Sequence, residues 1–231
     1  MLKHITIEGV RNLAHAQVAL PAGATVLFGA NGSGKTSFLE AIHLLAVGRS
    51  FRTHQSKPVI QHGMAHCRVV GEVQRGGRAT MMGLEKHRDG GVKARVGGEN
   101  VPSLSELALH LPLVLLDTEG LGIVTGPPEG RRRLLDGTLF HVEQGFLSQW
   151  KRHALAVRQR NSGLRRGILR SDRAWRQEIA ETGTLLTQQR RAVAEKLAHE
   201  LARLAPTLSD DLAGLEVVFR AGWDQKLSLF E

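Results

Sequence analysis

The apolar positions of the 231-residue chain change their period several times, and each change marks an element. His4–Glu8 alternates apolar and polar side chains, the period of a strand with one covered face, and Ala16–Leu20 also reads as a strand. Ala24–Phe28 (ATVLF) is a short β-branched and apolar run, which predicts a buried strand. Beyond it Phe38, Leu39, Ile42, Leu45 and Ala46 fall three and four apart, predicting a helix that closes at Gly48. Cys67–Gln74, Arg78–Glu85 and Val92–Val96 predict three more strands, and the separators Gly76-Gly77 and Asp89-Gly90-Gly91 predict the turns of an antiparallel meander. Ser103 with Glu106 has the spacing of a capping box, so a short helix is expected up to Leu111, before Pro112. Leu113–Leu116 reads as a buried strand. Pro127-Pro128 opens a helical stretch that runs to Pro206 with breaks at Gly145 and Gly163–Gly167, and Leu215–Arg220 returns to strand.

Between the strand expected to end at Phe28 and the helix after it stand Gly29, Ala30, Asn31, Gly32, Ser33, Gly34, Lys35 and Thr36. Asn-Gly between apolar runs is a hairpin signal, but here a strand enters and a helix leaves. In that setting the eight residues match G-x-x-x-x-G-K-[ST] at every fixed position. The chemistry requires each type. Backbone N–H groups must converge on phosphate oxygens, and a Cβ would obstruct the approach or forbid the φ it needs. The helix start adds unpaired N–H groups and a positive dipole end. Lys35 reaches phosphate as a mobile point charge, and the Thr36 hydroxyl is a hard oxygen ligand for Mg²⁺.

Composition narrows the class. Hydrophobic content of 42% supports a proper core, and no apolar run approaches the roughly 20 residues of a membrane span. Met1–Val10 alternates where a signal peptide would be continuously apolar, so a cytoplasmic protein without membrane contact is expected. The single Cys67 has no cysteine to pair with, and the 11 histidines show no zinc spacing. The net charge of +9 predicts an acidic partner. Its surplus is local: Pro127–Arg203 holds 16 Lys and Arg against 8 Asp and Glu. Arg166, Arg170 and Arg173 recur at four and three, which on one continuous helix would put them on one face for DNA phosphates. Arg131, Arg132 and Arg133 sit one turn into a helix, either as a solvated face or as further phosphate contacts. Trp150 and Trp175 lie in apolar helical patterns, which favours core packing over base stacking. Leu113–Asp117 has the form of an apolar strand ending in a Mg²⁺-binding Asp, but also of any buried strand meeting solvent.

Several islands taken together resemble the RecF family, bacterial DNA replication and repair ATPases related to structural-maintenance-of-chromosomes heads. They are the opening strand with Arg11-Asn12, the loop followed by Leu39-Glu40-Ala41-Ile42, Gly48-Arg49-Ser50-Phe51-Arg52, Gly126-Pro127-Pro128 with Arg131–Asp136, and Gln159-Arg160-Asn161. The resemblance implies an α/β fold: a P-loop ABC-type ATPase head lobe with an antiparallel β-layer, plus an α-helical arm lobe. Residues 1–117 would be the first part of the ATPase lobe, 118–205 the helical lobe and 206–231 the start of a return. Arg11 and Asn12 would lie beside the nucleotide, and Asp117 would join the lobes instead of binding metal. Function by resemblance is ATP-controlled binding of single-stranded or gapped double-stranded DNA in recombinational repair, replication restart and the SOS response. ATP and Mg²⁺ would be the cofactors, RecR and RecO the mediator partners, and an ATP-dependent homodimer the assembly.

The family also carries a serine-glycine signature, a strand ending in Asp-Glu and a later His, none of which follows Pro206 here. The sequence therefore reads as a truncated relative or a fragment, expected to bind ATP without hydrolysing it and to aggregate through open strand edges. A second functional class fits the loop alone: a P-loop kinase or hydrolase of a small substrate, with the Arg-rich helices as a lid. DNA affinity that falls steeply with salt separates the first class from the second.

Overall fold

The computed structural model describes the chain except residues 54, 117–119, 121, 144, 168–171 and 225–231, so Asp117 and Arg170 lie outside the described residues. The fold is mixed α/β and divides into two compact units, Met1–Leu116 and Asp117–Glu231.

The first unit contains β1 (Leu2–Val10), β2 (Leu13–Ala19), α1 (Lys35–Val47), β3 (His66–Arg75), β4 (Arg78–His87), β5 (Val92–Val96), β6 (Glu99–Asn100) and α2 (Ser105–His110). The strands form one antiparallel sheet in the order β2-β1-β3-β4-β5-β6, with the expected meander at its centre and the two-residue β6 as an unforeseen edge. The two-residue period sorts the faces. Ile7, Val69, Leu84 and Ala94 are consecutive register partners in a buried row. The next row, Glu8, Arg68, Glu85 and Lys93, alternates in charge, and Arg68 bonds Glu85 at 2.9 Å. Helix α1 covers the apolar face with Phe38, Ala41, Leu44 and Leu45, one stripe at helical spacing. It ends as expected, at a left-handed Gly48 whose N–H reaches Leu44 C=O.

Three expected strands are not strands. Ala24–Phe28, Leu113–Leu116 and Leu215–Arg220 carry no ladder, and Phe28 is 92% and Leu116 87% exposed. An apolar β-branched run supplies propensity only, and a strand exists through the neighbour that takes its N–H and C=O groups. The described sheet ends at β2 and β6, and none of the three runs is among its hydrogen-bonded strands. The capping box also fails. Helix α2 begins one residue later than the box requires, and the Ser103 hydroxyl lies 2.8 Å from that of Ser105.

The second unit is helical: α3 (Gly122–Thr125), α4 (Pro128–Val142), α5 (Phe146–Arg165) and α6 (Asp172–Leu208), then a 3-10 turn at Asp210–Leu212. Pro128 sits at the start of α4, where its missing N–H costs nothing. Helix α6 continues two residues beyond expectation, to Leu208, with Pro206 inside it. Arg160 near the end of α5 meets Asp172 at the start of α6, while Arg152 and His153, nearer the start of α5, meet Glu178 and Thr182 further along α6. That is an antiparallel helical hairpin. Leu139 of α4, Phe146 of α5 and Leu186 of α6 form its core, and Asp136 ties α4 to Arg190 of α6. Trp150 is not in that core but 42% exposed, while Trp175 is half-buried. Among the described residues no helix is long and apolar enough to cross a membrane.

Candidate functional site

The site begins in the turn between β1 and β2. Val10 pairs with Leu13, leaving Arg11 and Asn12 as a two-residue loop. Arg11 has φ +54°, a left-handed backbone uncommon for a residue with a Cβ. Two attachments hold it there: its N–H donates to Val59 C=O at 2.8 Å, and its guanidinium forks onto Glu40 of α1, with Nε to Oε2 at 2.9 Å and Nη2 to Oε1 at 2.8 Å. Asn12 faces the glycine loop. Its Nδ2 donates to Gly32 C=O at 2.7 Å, and its Oδ1 accepts from Ser37 Oγ at 2.7 Å. One turn residue is thus joined to the middle of the loop and to the first turn of the helix that follows.

The loop bends into α1 at Gly34, which has φ +100°. The conformation disfavours a side chain, and a Cβ there would stand 2.7 Å from Leu13 Cδ2, so Leu13 would have to shift as well. No side chain caps α1 and no acid lies in its first turn, which leaves its N–H groups and dipole facing outward. Lys35 Nζ bonds Gly29 C=O and Ala30 C=O, both at 2.8 Å, so the ammonium sits over the loop. Thr36 is exposed beside it.

Glu40 is wholly buried and gathers three groups. Besides Arg11 it accepts from Ser50 Oγ at 2.5 Å and lies 3.8 Å from Arg52 Nη1. Burial opposes its ionisation, but hydrogen bonds from Arg11 and Ser50 and the charges of Arg11 and Arg52 prevail and hold its carboxyl below the usual range. His43, one turn on, donates from Nδ1 to Arg49 C=O at 2.6 Å and sets its ring edge-on to Phe51 at 5.4 Å. The Ser50–Arg52 segment is thereby fastened to α1.

These elements enclose a cleft of about 550 Å³, lined by Arg11 and Asn12, by Asn31, Gly32, Gly34, Lys35, Thr36 and Ser37, and by Arg52. Two residues expected beside the loop, Arg11 and Asn12, are therefore brought to it from earlier in the chain, Asn12 bonding a loop carbonyl 20 positions on. The donor set, with three cationic side chains, uncapped N–H groups and no carboxylate in the described lining, fits a polyphosphate. The Thr36 hydroxyl is the described lining group suited to a hard cation carried on that phosphate. Sequence reasoning missed Glu40, Ser50 and Arg52, although all three lie within islands that carried the family resemblance.

The arginines expected at DNA are in the second unit and are not alike. Arg131 Nη1 donates to the carbonyls of Ile123 at 2.8 Å and Gly126 at 3.1 Å, closing the end of α3. Arg133 is 3.8 Å from Glu129, and Arg132 is exposed. Arg166 and Arg173 do not share one helix face: α5 ends at Arg165, α6 starts at Asp172, and the two arginines flank the connection, both exposed. The four-and-three spacing fails because the helix it presupposes is interrupted after Arg165.

The model of the RecF/RecN/SMC N-terminal domain matches residues 1–209. The DNA replication and repair protein RecF of Azotobacter vinelandii is 40% identical over the whole chain, and that of Pseudomonas putida KT2440 is 41% identical. The chain spans 64% and 63% of those relatives' lengths. Among solved structures, that of the recombination mediator protein RecF-ATP in the RecFOR pathway aligns with a TM-score of 0.81 at 24% identity, covering 90% of this chain and 58% of that one. The Smc head domain of Pyrococcus furiosus, with an extended coiled coil and bound to the C-terminal domain of ScpA, aligns at a TM-score of 0.55, 15% identity and 90% of this chain. From the match over residues 1–209, the chain belongs to the RecF/RecN/SMC N-terminal domain family.

Proposed function

We propose that this chain is the nucleotide-binding portion of an ATP-binding protein of DNA replication and repair. One observation carries the reading: Arg11, Asn12, Lys35, Thr36 and the uncapped start of α1 converge on one cleft with Arg52. Backbone N–H groups from Gly29 to Thr36 would cradle the phosphates, Lys35 would leave the loop carbonyls for them, and Mg²⁺ would be held by Thr36 through the nucleotide. ATP is the nucleotide favoured by the likeness to RecF. Calorimetric titration with Mg-ATP tests the cleft. Lys35→Ala should weaken binding at least about tenfold, since a charge-assisted contact to phosphate contributes roughly 1.5–3 kcal/mol. Unchanged affinity would defeat the assignment.

The DNA-binding half of the proposal rests on the exposed arginines Arg132, Arg133, Arg166 and Arg173, with Arg170 between the last two in sequence, and on relatives named for replication and repair. Arg131 contributes less, its guanidinium being engaged at α3. The ligand would be single-stranded or gapped double-stranded DNA, in a cytoplasmic setting. RecR, RecO and an ATP-dependent second copy are the proposed partners. Replacing Arg166, Arg170 and Arg173 together with Gln should weaken binding equally across sequences and flatten its log–log salt dependence, because phosphate contacts carry no base information. A slope equal to that of the wild type would reduce these arginines to a solvated face.

A further inference from the structure

Arg11 and Arg52 both line the phosphate cleft, and both meet one carboxylate, that of Glu40. An acid is out of place there on simple grounds. Its charge opposes an incoming anion, and a carboxylate removed from water is costly unless it is paired and hydrogen-bonded. The geometry around it supplies a use. Two bonds to separate Glu40 oxygens fix the plane of the Arg11 guanidinium, which is bound at the start of a left-handed turn. Ser50 Oγ donates to Glu40 Oε1 and accepts the N–H groups of Arg52 at 2.9 Å and Thr53 at 3.2 Å, so the backbone bearing Arg52 is tied to the same carboxylate. The Arg52 guanidinium lies 3.8 Å from Glu40 and is half exposed, within reach of the cleft it lines.

We propose that Glu40 is the positioning residue of the phosphate cleft, setting Arg11 and Arg52 at its rim before an anion arrives while touching no ligand itself. Two arginines against one acid leave a net positive charge for a polyphosphate, and the rotamer freedom of Arg11 together with the backbone freedom around Arg52 is spent before binding. The inference rests on the phosphate reading of the cleft given above. It also differs in sign from simple electrostatics, which expects removal of a negative charge to tighten the binding of an anion.

Glu40→Gln keeps the volume and removes the charge. Wild type, Glu40→Gln and Lys35→Ala are titrated with Mg-ATP, and Glu40→Gln is repeated in an Arg11→Gln background. The expected result is roughly tenfold weaker binding for Glu40→Gln alone and less than about twofold further loss in the Arg11→Gln background, since the two residues act as one unit. Affinity equal to or tighter than wild type, or an equal penalty in both backgrounds, overturns the inference. Should Glu40→Gln fail to fold, Ser50→Ala decides: it leaves the ion pair and should weaken ATP binding severalfold in a protein that circular dichroism shows to be folded at the titration temperature, and unchanged affinity overturns. If Lys35→Ala loses binding while Glu40→Gln does not, the inference alone fails; if the wild type does not bind, or Lys35→Ala binds like it, the phosphate reading fails first.

Discussion

The Arg11–Glu40 pair and the Arg152–Glu178 pair share a forked geometry and differ in surroundings. In the first, Nε and Nη2 reach the two oxygens at 2.9 and 2.8 Å, and Glu40 is 0% exposed. In the second the same two atoms make bonds of 2.9 and 3.1 Å, with the arginine 56% and the glutamate 27% exposed. Water competes for the second pair and screens it, so it contributes about 0.2–1 kcal/mol and the helical hairpin relies on packed residues such as Leu186. The first pair is out of water on its acidic side, where breaking it strands a charge. Burial, not bond geometry, makes one pair an organising centre and the other a surface decoration.

The largest test removes each acid in turn. Glu40→Ala should destabilise the first unit by about 3 kcal/mol, near the lower end of the range for a broken buried pair because Arg11 keeps some access to water, whereas Glu178→Ala should cost the second unit under about 1 kcal/mol. Hydrogen exchange reads the two separately, in the amides of α1 and of α6. Comparable losses of protection would erase the distinction.

Gly34→Ala is next. Its φ of +100° and the 2.7 Å approach to Leu13 predict a loss of about 1–3 kcal/mol together with phosphate binding, while Gly32→Ala, with φ +81° but open space around it, should cost about 1 kcal/mol. Thermal melts of both variants test the ranking, and equal losses would mean that the contact with Leu13 is relieved cheaply.

Acid provides a graded version of the first comparison. The folded-state pKa of Glu40 lies below its ordinary value of 4.5, so its stabilisation is complete above that value and is lost as pH falls through the lowered one. Protection of α1 should therefore decline steeply below about pH 4.5 in the wild type, and Glu40→Gln should lack that part of the decline. Parallel pH curves for the two proteins would remove Glu40 from the account.

The smallest effect is expected at the arginine cluster of α4. Arg131→Gln gives up carbonyl bonds at the end of α3 and should cost about 0.5–1.5 kcal/mol, against less than about 0.5 kcal/mol for Arg132→Gln, whose side chain is exposed. Denaturant midpoints of the pair measure the difference, and reversed order would mean that Arg131 is free for other contacts.

By itself the sequence determined whatever depends on neighbours a few residues away. The glycine loop, the stripe of α1, the Gly48 cap, the meander and the start of α4 at Pro128 were legible because period, φ preference and turn chemistry act locally. Tertiary structure decided the rest. Glu40 looks in sequence like one more helical acid, and its role arises only when Arg11, 29 residues earlier, and Ser50, ten later, fold onto it. Ala24–Phe28 and Leu215–Arg220 have strand composition and no ladder, because pairing is a property of two segments and not of one. The interval joining Arg166 to Arg173 spans a break between helices that spacing alone could not register. A periodic pattern names the face a residue would share if its element continued; only the folded chain decides whether it does, and which distant groups then share a buried charge.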